Sequence, residues 1–387
     1  MESSDTIIST KGSNAFKKQA FKDQITGLLF TFPALLIILI FGIFPIGYSI
    51  YMSLFNWQVT KGPFIGDKNY LLIFGSWTNF LIILAGIALF VLGFYVWRRA
   101  FQTLSNGQRW AHIAGALILI LGGVIFVTGW GLMYETGNND FLNSLIVTVY
   151  YALGTVPAEI IIGLVLAYIL YQDIIGKQAF RIIYFLPYIT PSISTAVVFQ
   201  IIFSSRETSV ANRLIGLFGM DPLKWRFEPK PVLNLLGLDV SGLAGGPSLA
   251  LLTIIIFGIW SFVGYNTVIF LSGLGNIPKE IYEAAEIDGG SKWDRFWHIT
   301  IPMISPVTFY LSLIGFIGTF KAFNHLYVMR TPSAQNTVIT TSLLVFDRFY
   351  KANQYGVATA QAIVLFLVIL GLTFAQNKLM GERVFYG

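Results

Sequence analysis

One polar segment, residues 278–302, lies between long apolar stretches and differs from them in composition. Glutamates spaced three residues apart favour the start of a short helix through the helix dipole, and Ala284 and Ala285 are strong helix formers with little bulk. Gly289 can end that helix in a left-handed conformation, and Ser291 can cap a second one. We expect two short helices at an angle, a shape suited to docking in another protein and transmitting movement.

Residues for covalent, redox or metal chemistry are scarce in the rest of the chain. The sequence has no cysteine, and its three histidines, His112, His298 and His325, are scattered. A phosphate-binding Gly-x-x-x-x-Gly-Lys-Ser/Thr pattern is missing, since the nearest candidate, residues 288–292, has the wrong spacing. We therefore predict that the chain is not an enzyme and has no catalytic residue, metal site or cofactor of its own.

The composition predicts a membrane protein. Mean hydropathy is +0.69 and charged residues make up 11% of the 387 positions. Because about 20 apolar residues suffice for a helix to cross the roughly 30 Å hydrocarbon core, the long charge-free runs predict membrane spans. The fold class we expect is all-α, a polytopic membrane protein with about eight transmembrane helices. The predicted spans are 27–52, 78–97, 111–133, 141–171, 180–203, 249–275, 301–323 and 358–377.

The positive charges indicate an orientation. With a cytoplasmic N-terminus, eight spans place more than half of the 25 Lys and Arg in short cytoplasmic segments, as the positive-inside rule requires. This explains the net charge of +6 without nucleic acid as a partner. Both termini are then cytoplasmic, and residues 1–23 form a polar leader along the inner surface.

Several polar or helix-breaking residues lie inside predicted spans. Pro187 and Pro191 predict either a helix broken beside a cavity or an ordinary kink. Glu159 is a candidate for a proton or cation role or, alternatively, a buried hydrogen-bonded group. Four more polar residues, together with the neighbouring Lys321, either line a path for the solute or form hydrogen bonds with neighbouring helices. These four are Tyr265, Asn266, Thr319 and Asn324.

The polar segment resembles the EAA loop of ABC importer permeases. The residues that carry the resemblance are Glu283-Ala284-Ala285, Gly289 four positions after Ala285, Ile299 ten positions further on, and Pro302. With Asp288-Gly289, Trp293, Phe296 and Thr300 added, the pattern is similar to the carbohydrate-uptake branch. Span 1 and its exit, residues 41–57, resemble the first, maltose-type permease of that branch more than the sister subunit. The likeness covers roughly 24–70 and 140–387.

This resemblance implies a type I ABC importer permease fold with an inserted helical hairpin. The implied divisions are a cytoplasmic leader 1–23, a first transmembrane helix 24–60, an inserted two-helix hairpin 71–139, and a core permease domain 140–387 of six-span type. The core includes the cytoplasmic coupling loop 278–302. In such permeases the loop seats in the ATPase, so the implied coupling residues are Glu283, Ala284, Ala285, Asp288, Gly289, Phe296 and Pro302.

The implied function is that of a transmembrane permease subunit of a sugar importer in a prokaryotic plasma membrane. Its implied partners are a second permease in a heterodimer, two ATPase subunits that bind ATP and magnesium, an extracytoplasmic solute-binding protein, the sugar and membrane lipid. One alternative is an ABC permease for another solute, such as a polyamine or glycerol phosphate. Another is an ion-driven secondary transporter, although paired intramembrane charges and two similar halves are missing from the sequence.

Overall fold

The computed structural model describes residues 10–100, 108–172, 175–240 and 245–381, and helices dominate it. Two short strands, β1 (Phe55–Trp57) and β2 (Lys61–Phe64), pair antiparallel after the first span. The helices of the first half are α1 (Thr10–Ile38), α2 (Phe44–Ser53), α3 (Lys68–Phe74), α4 (Trp77–Ala100), α5 (Gln108–Thr136), α6 (Asn139–Tyr171), α7 (Lys177–Ile189), α8 (Ser192–Ile202), α9 (Val210–Gly216) and α10 (Val232–Leu235). Those of the second half are α11 (Leu249–Gly275), α12 (Lys279–Ile287), α13 (Lys292–Arg295), α14 (Ile301–Met303), α15 (Ser305–Phe320), α16 (Asn324–Met329), α17 (Gln335–Val338), α18 (Thr341–Phe346) and α19 (Tyr355–Met380).

The apolar helices confirm a polytopic membrane protein with about eight spans. Within the described ranges, six helices are long and apolar enough to cross a membrane, and two bent helix pairs bring the number to eight. The six are Phe21–Ser53, Trp77–Arg99, Trp110–Thr136, Asn139–Tyr171, Leu249–Gly275 and Tyr355–Met380. The bent pairs are Lys177–Ile189 with Ser192–Ile202, and Lys292–Met303 with Ser305–Phe320.

The first span is one uninterrupted helix from Thr10 to Ser53. A π-helical turn, Leu39–Ile43, precedes Pro45, whose missing N–H group disturbs the regular hydrogen-bond ladder at that point. The described part of the leader therefore continues the axis of the span instead of forming a separate surface helix. Residues 1–9 of the predicted leader lie outside the described ranges.

The fifth span is broken where the proline pair predicts it. Helices α7 and α8 meet at an angle of 98° between Ile189 and Ser192. Pro191 cannot donate a backbone hydrogen bond, and the residue before it, Thr190, adopts an extended conformation because a proline disfavours the helical one. The break exceeds an ordinary proline kink and opens one side of the bundle.

Helices α4 and α5 form a closely packed hairpin. A Cβ atom on Gly86 would lie 2.6 Å from the Phe126 nitrogen, and one on Gly122 would lie 2.6 Å from the Phe90 nitrogen. These glycines let the two backbones approach, as small residues do in membrane helix pairs. The hairpin joins the bundle at one end, through an apolar cluster that includes Phe74 and neighbouring side chains of α4, α5 and α6. The turn at 101–107 lies outside the described residues.

Helices α6 and α11 form the centre of the bundle. Small residues of α6 permit the contact, since a Cβ on Gly154 would lie 2.7 Å from Ile255 Cδ1 and one on Gly163 would lie 2.9 Å from Asn266 Cβ. The largest buried side chains around them include Tyr151, Phe257, Leu251, Ile254, Phe270 and Leu274. We call the end of the bundle that carries residues 278–302 the loop end, and the other end the far end.

Candidate functional site

The polar segment forms the two short helices expected from its sequence, and we call it the bent loop (residues 278–302). Helix α12 begins after Pro278 and ends before Gly289, which adopts a left-handed conformation with φ of +82°. Ser291 then caps α13 with a capping box, in which its hydroxyl accepts a hydrogen bond from the Asp294 nitrogen. The local rules for helix ends thus account for the corner of the loop.

The second helix of the bent loop extends further than the sequence suggests. The predicted span 301–323 begins one residue before Pro302, which would separate it from the second short helix. Instead a π-helical turn, Phe296–Thr300, carries the helix on to Met303, and a bend of 59° separates it from α15. The wider π turn accommodates the missing N–H group of Pro302, so the proline lies inside this helix.

Side-chain contacts join the bent loop into one body and fix it to the bundle. Arg295 Nη1 donates to Glu286 Oε2 at 2.8 Å, which ties the two short helices together. The Tyr282 hydroxyl lies 3.0 Å from Thr300 Oγ1, a second link between them. The Phe296 ring packs edge-on against Tyr168, with centroids 4.8 Å apart, and so connects the loop to the end of α6.

The outer face of the bent loop combines small, acidic and exposed apolar residues. Ile287 is 86% exposed and Trp293 is 68% exposed, which leaves large apolar side chains uncovered outside the predicted spans. Of the predicted coupling residues, Glu283, Ala284, Asp288, Gly289 and Pro302 are exposed, whereas Ala285 and Phe296 are half-buried. A surface of this kind is suited to a protein partner.

The four predicted path residues meet in one cavity of about 360 Å³ inside the bundle. They are Tyr265 and Asn266 from α11, Thr319 from α15, and Asn324 from α16. The break between α7 and α8 forms another wall through Pro187, Tyr188, Thr190 and Ser192. Lys321, although close in sequence, is not among the lining residues. Packing therefore brings together side chains from six helices, α6, α7, α8, α11, α15 and α16, and from the break between α7 and α8.

Aromatic rings form much of the cavity wall. Tyr188 stacks on Tyr265 with ring centroids 4.8 Å apart and an interplanar angle of 26°. On the other side, His325 stacks on Phe257 at 5.1 Å, and its Nε2 is hydrogen-bonded to the Tyr151 hydroxyl at 2.7 Å. Sequence reasoning missed Tyr151, Tyr188 and His325 as lining residues, because polar groups on apolar helices do not reveal which of them face one another.

Polar groups of the cavity differ in what they can offer a solute. The Thr319 hydroxyl donates to backbone oxygens of its own helix, Gly315 O at 3.1 Å or Phe316 O at 3.0 Å. Glu159 also lines the cavity and lies beside the Asn266 side chain. Its carboxyl is buried, as one of the two alternatives predicts, but the sequence did not predict its position in the cavity.

An ionic cluster stabilises the far end. Asp347 accepts from Arg330 Nη1 at 2.7 Å and forms an ion pair with Lys351 at 2.9 Å, and Arg348 pairs with Asp140 at 2.9 Å. Burial alone would raise the pKa of Asp347, but the hydrogen bonds from Arg330 and Lys351 outweigh burial and hold that pKa below its ordinary value. The cluster connects the segment after α15 to the start of α6.

Comparison with known proteins agrees with these features. Over 265 residues the chain is 31% identical to the arabinooligosaccharide permease AraP of Bacillus subtilis, covering 68% of this chain and 79% of AraP. It is 30% identical over 314 residues to the lactose transport system permease protein LacF of Rhizobium radiobacter, and the match covers 74% of this chain and 98% of LacF. It is also 30% identical over 239 residues to the trehalose/maltose permease MalF of Thermococcus litoralis, covering 62% and 74%.

A solved structure shares the fold. A chain of a bacterial alginate ABC transporter, crystallised with its periplasmic protein bound to an alginate pentasaccharide, superimposes with a TM-score of 0.52 at 20% identity. The match covers 70% of this chain and 95% of the other. Residues 159–385, which include the bent loop and most of the cavity, match the family of binding-protein-dependent transport system inner membrane components. The chain belongs to this family of transporter permeases.

Proposed function

We propose that the chain is the transmembrane permease subunit of an ATP-binding-cassette importer for a sugar. The observation that carries the proposal is the convergence of Tyr265, Asn266, Thr319 and Asn324 on one aromatic-walled cavity in a family whose members transport solutes. Stacked rings offer flat apolar faces to the C–H groups of a sugar, and amide groups both donate to and accept from its hydroxyls. The relatives named above, permeases for arabinooligosaccharides, lactose and trehalose/maltose, support the sugar class.

The proposed partners would supply the functions that we do not assign to this chain. We infer a second permease that completes the path, two ATPase subunits that hold ATP and magnesium, and an extracytoplasmic binding protein that delivers the sugar. The loop end, with both termini, would face the cytoplasm, and the far end would face the binding protein. The exposed face of the bent loop, with Glu283, Ala284, Asp288 and Gly289, supports contact with the ATPase.

The contacts of the bent loop suggest how ATP bound to the ATPase subunits would change the side to which the cavity opens. Closure of the ATPase dimer would displace the loop, whose two helices move together because Arg295 pairs with Glu286. The loop would pull α6 through the contact of Phe296 with Tyr168, and α15 through the bend at Ile304. A rigid-body change of this kind would open the cavity alternately to either side.

The proposal is tested in liposomes that contain the chain, its second permease and the ATPase subunits. Arabinotriose, maltose, trehalose or lactose would be offered with the binding protein outside and ATP inside. We expect uptake of at least one sugar that requires both ATP and the binding protein. Uptake of a polyamine or glycerol phosphate, with no sugar imported, would contradict the sugar as the solute. Uptake driven by an ion gradient without ATP would contradict the whole proposal.

A further inference from the structure

One group in the cavity has no role in the function proposed so far, the carboxyl of Glu159. The residue is only 4% exposed and lies on α6, the central helix of the bundle. The Asn266 side chain lies beside the carboxyl, and Oε2 has no hydrogen-bond partner among the residues that the structure describes. Because a buried polar atom is costly unless it is hydrogen-bonded, the open Oε2 points to a partner from outside the chain.

The neighbours of Glu159 indicate what kind of partner fits. Among the described residues that line the cavity, none is a Lys or Arg, and Glu159 is the only acid. His325 is engaged by Tyr151, and the Thr319 hydroxyl is engaged by its own helix. A negatively charged solute would find no Lys or Arg among these lining residues to pair with in a region of low dielectric. A neutral solute with hydroxyl donors would meet an acceptor.

Space is left in front of this carboxyl. Gly315 on α15 faces α6 at the level of Glu159, and a Cβ added there would lie 3.0 Å from Val156 Cγ1 and 3.4 Å from Glu159 Oε1. A larger residue at this position would be crowded by Val156 and would fill the space beside the carboxyl. The cavity has the volume of a small-molecule site, about 360 Å³, and the stacked rings of Tyr188 and Tyr265 form part of the same wall.

We propose that Glu159 captures the translocated sugar by accepting a hydrogen bond from one of its hydroxyls. The inference rests on the proposed function and names a specific group within it. The open carboxyl oxygen would gain a hydrogen bond that the protein itself does not supply, so Glu159 would hold a neutral, hydroxyl-rich solute where the stacked rings alone would not. Asn266, which lies beside the carboxyl, would help to orient it.

The test uses the full reconstituted complex and whichever of arabinotriose, maltose, trehalose or lactose the wild type imports. Glu159→Gln keeps the side-chain volume but replaces one carboxyl oxygen with an NH2 group, which cannot accept a hydrogen bond. We expect ATP hydrolysis stimulated by the binding protein to stay within about twofold of wild type, while the sugar imported per ATP falls at least tenfold. Glu159→Asp, which keeps a shortened carboxylate, should recover part of the loss.

A matched control separates capture from a general effect of changing a buried polar residue. Thr253→Val alters an equally buried polar side chain of α11 that does not line the cavity, and both readouts should stay at the wild-type level. Unchanged sugar per ATP in Glu159→Gln would overturn the inference. So would an equal loss of ATP hydrolysis and transport, or failure of that variant to assemble, because each indicates a structural role. Absence of sugar uptake by the wild type would instead refute the proposed function.

Discussion

The left-handed corner of the bent loop at Gly289 gives a graded test of the coupling proposal. Its φ is +82°, and a Cβ added there would meet nothing within 4 Å, so a substitution is opposed by backbone conformation and not by crowding. The left-handed region costs an L-residue roughly 1–2 kcal/mol, less for Asn, which tolerates it. About 1.4 kcal/mol is a factor of ten in population, so Gly289→Ala should reduce the fraction of correctly folded loops about five- to thirtyfold where that fraction is not saturated.

The series Gly289→Asn, Gly289→Ala and Gly289→Pro therefore has a defined order. Proline fixes φ near −65° and removes the N–H group that donates to Glu286 O at 3.1 Å, so Gly289→Pro should abolish the corner. The assay is ATP hydrolysis stimulated by the binding protein in the reconstituted complex, with copurification as the measure of assembly. We expect activity to fall from Asn to Ala to Pro.

The control for this series is Gly275→Ala, at the end of α11. A Cβ there also meets nothing within 4 Å, but its φ does not lie in the left-handed region, so the variant should behave as wild type. If Gly289→Pro stimulates ATP hydrolysis normally, or if Gly289→Asn is weaker than Gly289→Ala, the corner is not what couples the loop to the ATPase.

Two further predictions concern the bundle. Gly264→Ala should destabilise the complex by about 1–3 kcal/mol and so lower its melting temperature, because the added Cβ would overlap the Tyr184 carbonyl oxygen where α7 packs on α11. An unchanged melting temperature would show that the close approach is not rigid. Asp347→Asn should lower the melting temperature at pH 7. Because the folded-state pKa of Asp347 lies below its ordinary value of about 3.9, the stabilisation is present above that value and lost as pH falls through the folded pKa. The difference between variant and wild type should thus shrink toward pH 3, and a constant difference would contradict the ion-pair explanation.

Local rules explain why some parts of the fold could be predicted. Charge-free runs define spans because one mid-membrane charge outweighs several apolar residues. The corner at Gly289 and the cap at Ser291 depend on their own backbone conformations, which neighbours in sequence already determine. The break at Pro191 follows in the same way from a missing donor and a restricted neighbour.

Other features depend on packing between distant segments and could not be predicted. The pair of Tyr151 and His325 joins residues 174 positions apart, and nothing in either local sequence indicates the other. The path residues could be selected by polarity, but Tyr188 and Glu159 enter the cavity only because α7 is broken beside α11 and because Gly163 lets Asn266 approach α6. The π turn before Pro302 is a compromise between the proline and the continuing helix, which sequence rules for helix ends do not describe.

The position of Glu159 links the two candidate sites mechanically. Tyr168, which contacts the bent loop through Phe296, and Glu159, which faces the cavity, lie on the same helix without a break between them. Nine residues at 1.5 Å each separate them by about 13 Å along the axis. An α-helix that is hydrogen-bonded throughout is stiff over this length, so a displacement of the loop end of α6 reaches the carboxyl with little loss. ATPase subunits that displace the bent loop would therefore also displace Glu159, the proposed hydrogen-bond acceptor for the sugar. Release of the solute would then follow from the same conformational change that opens the cavity.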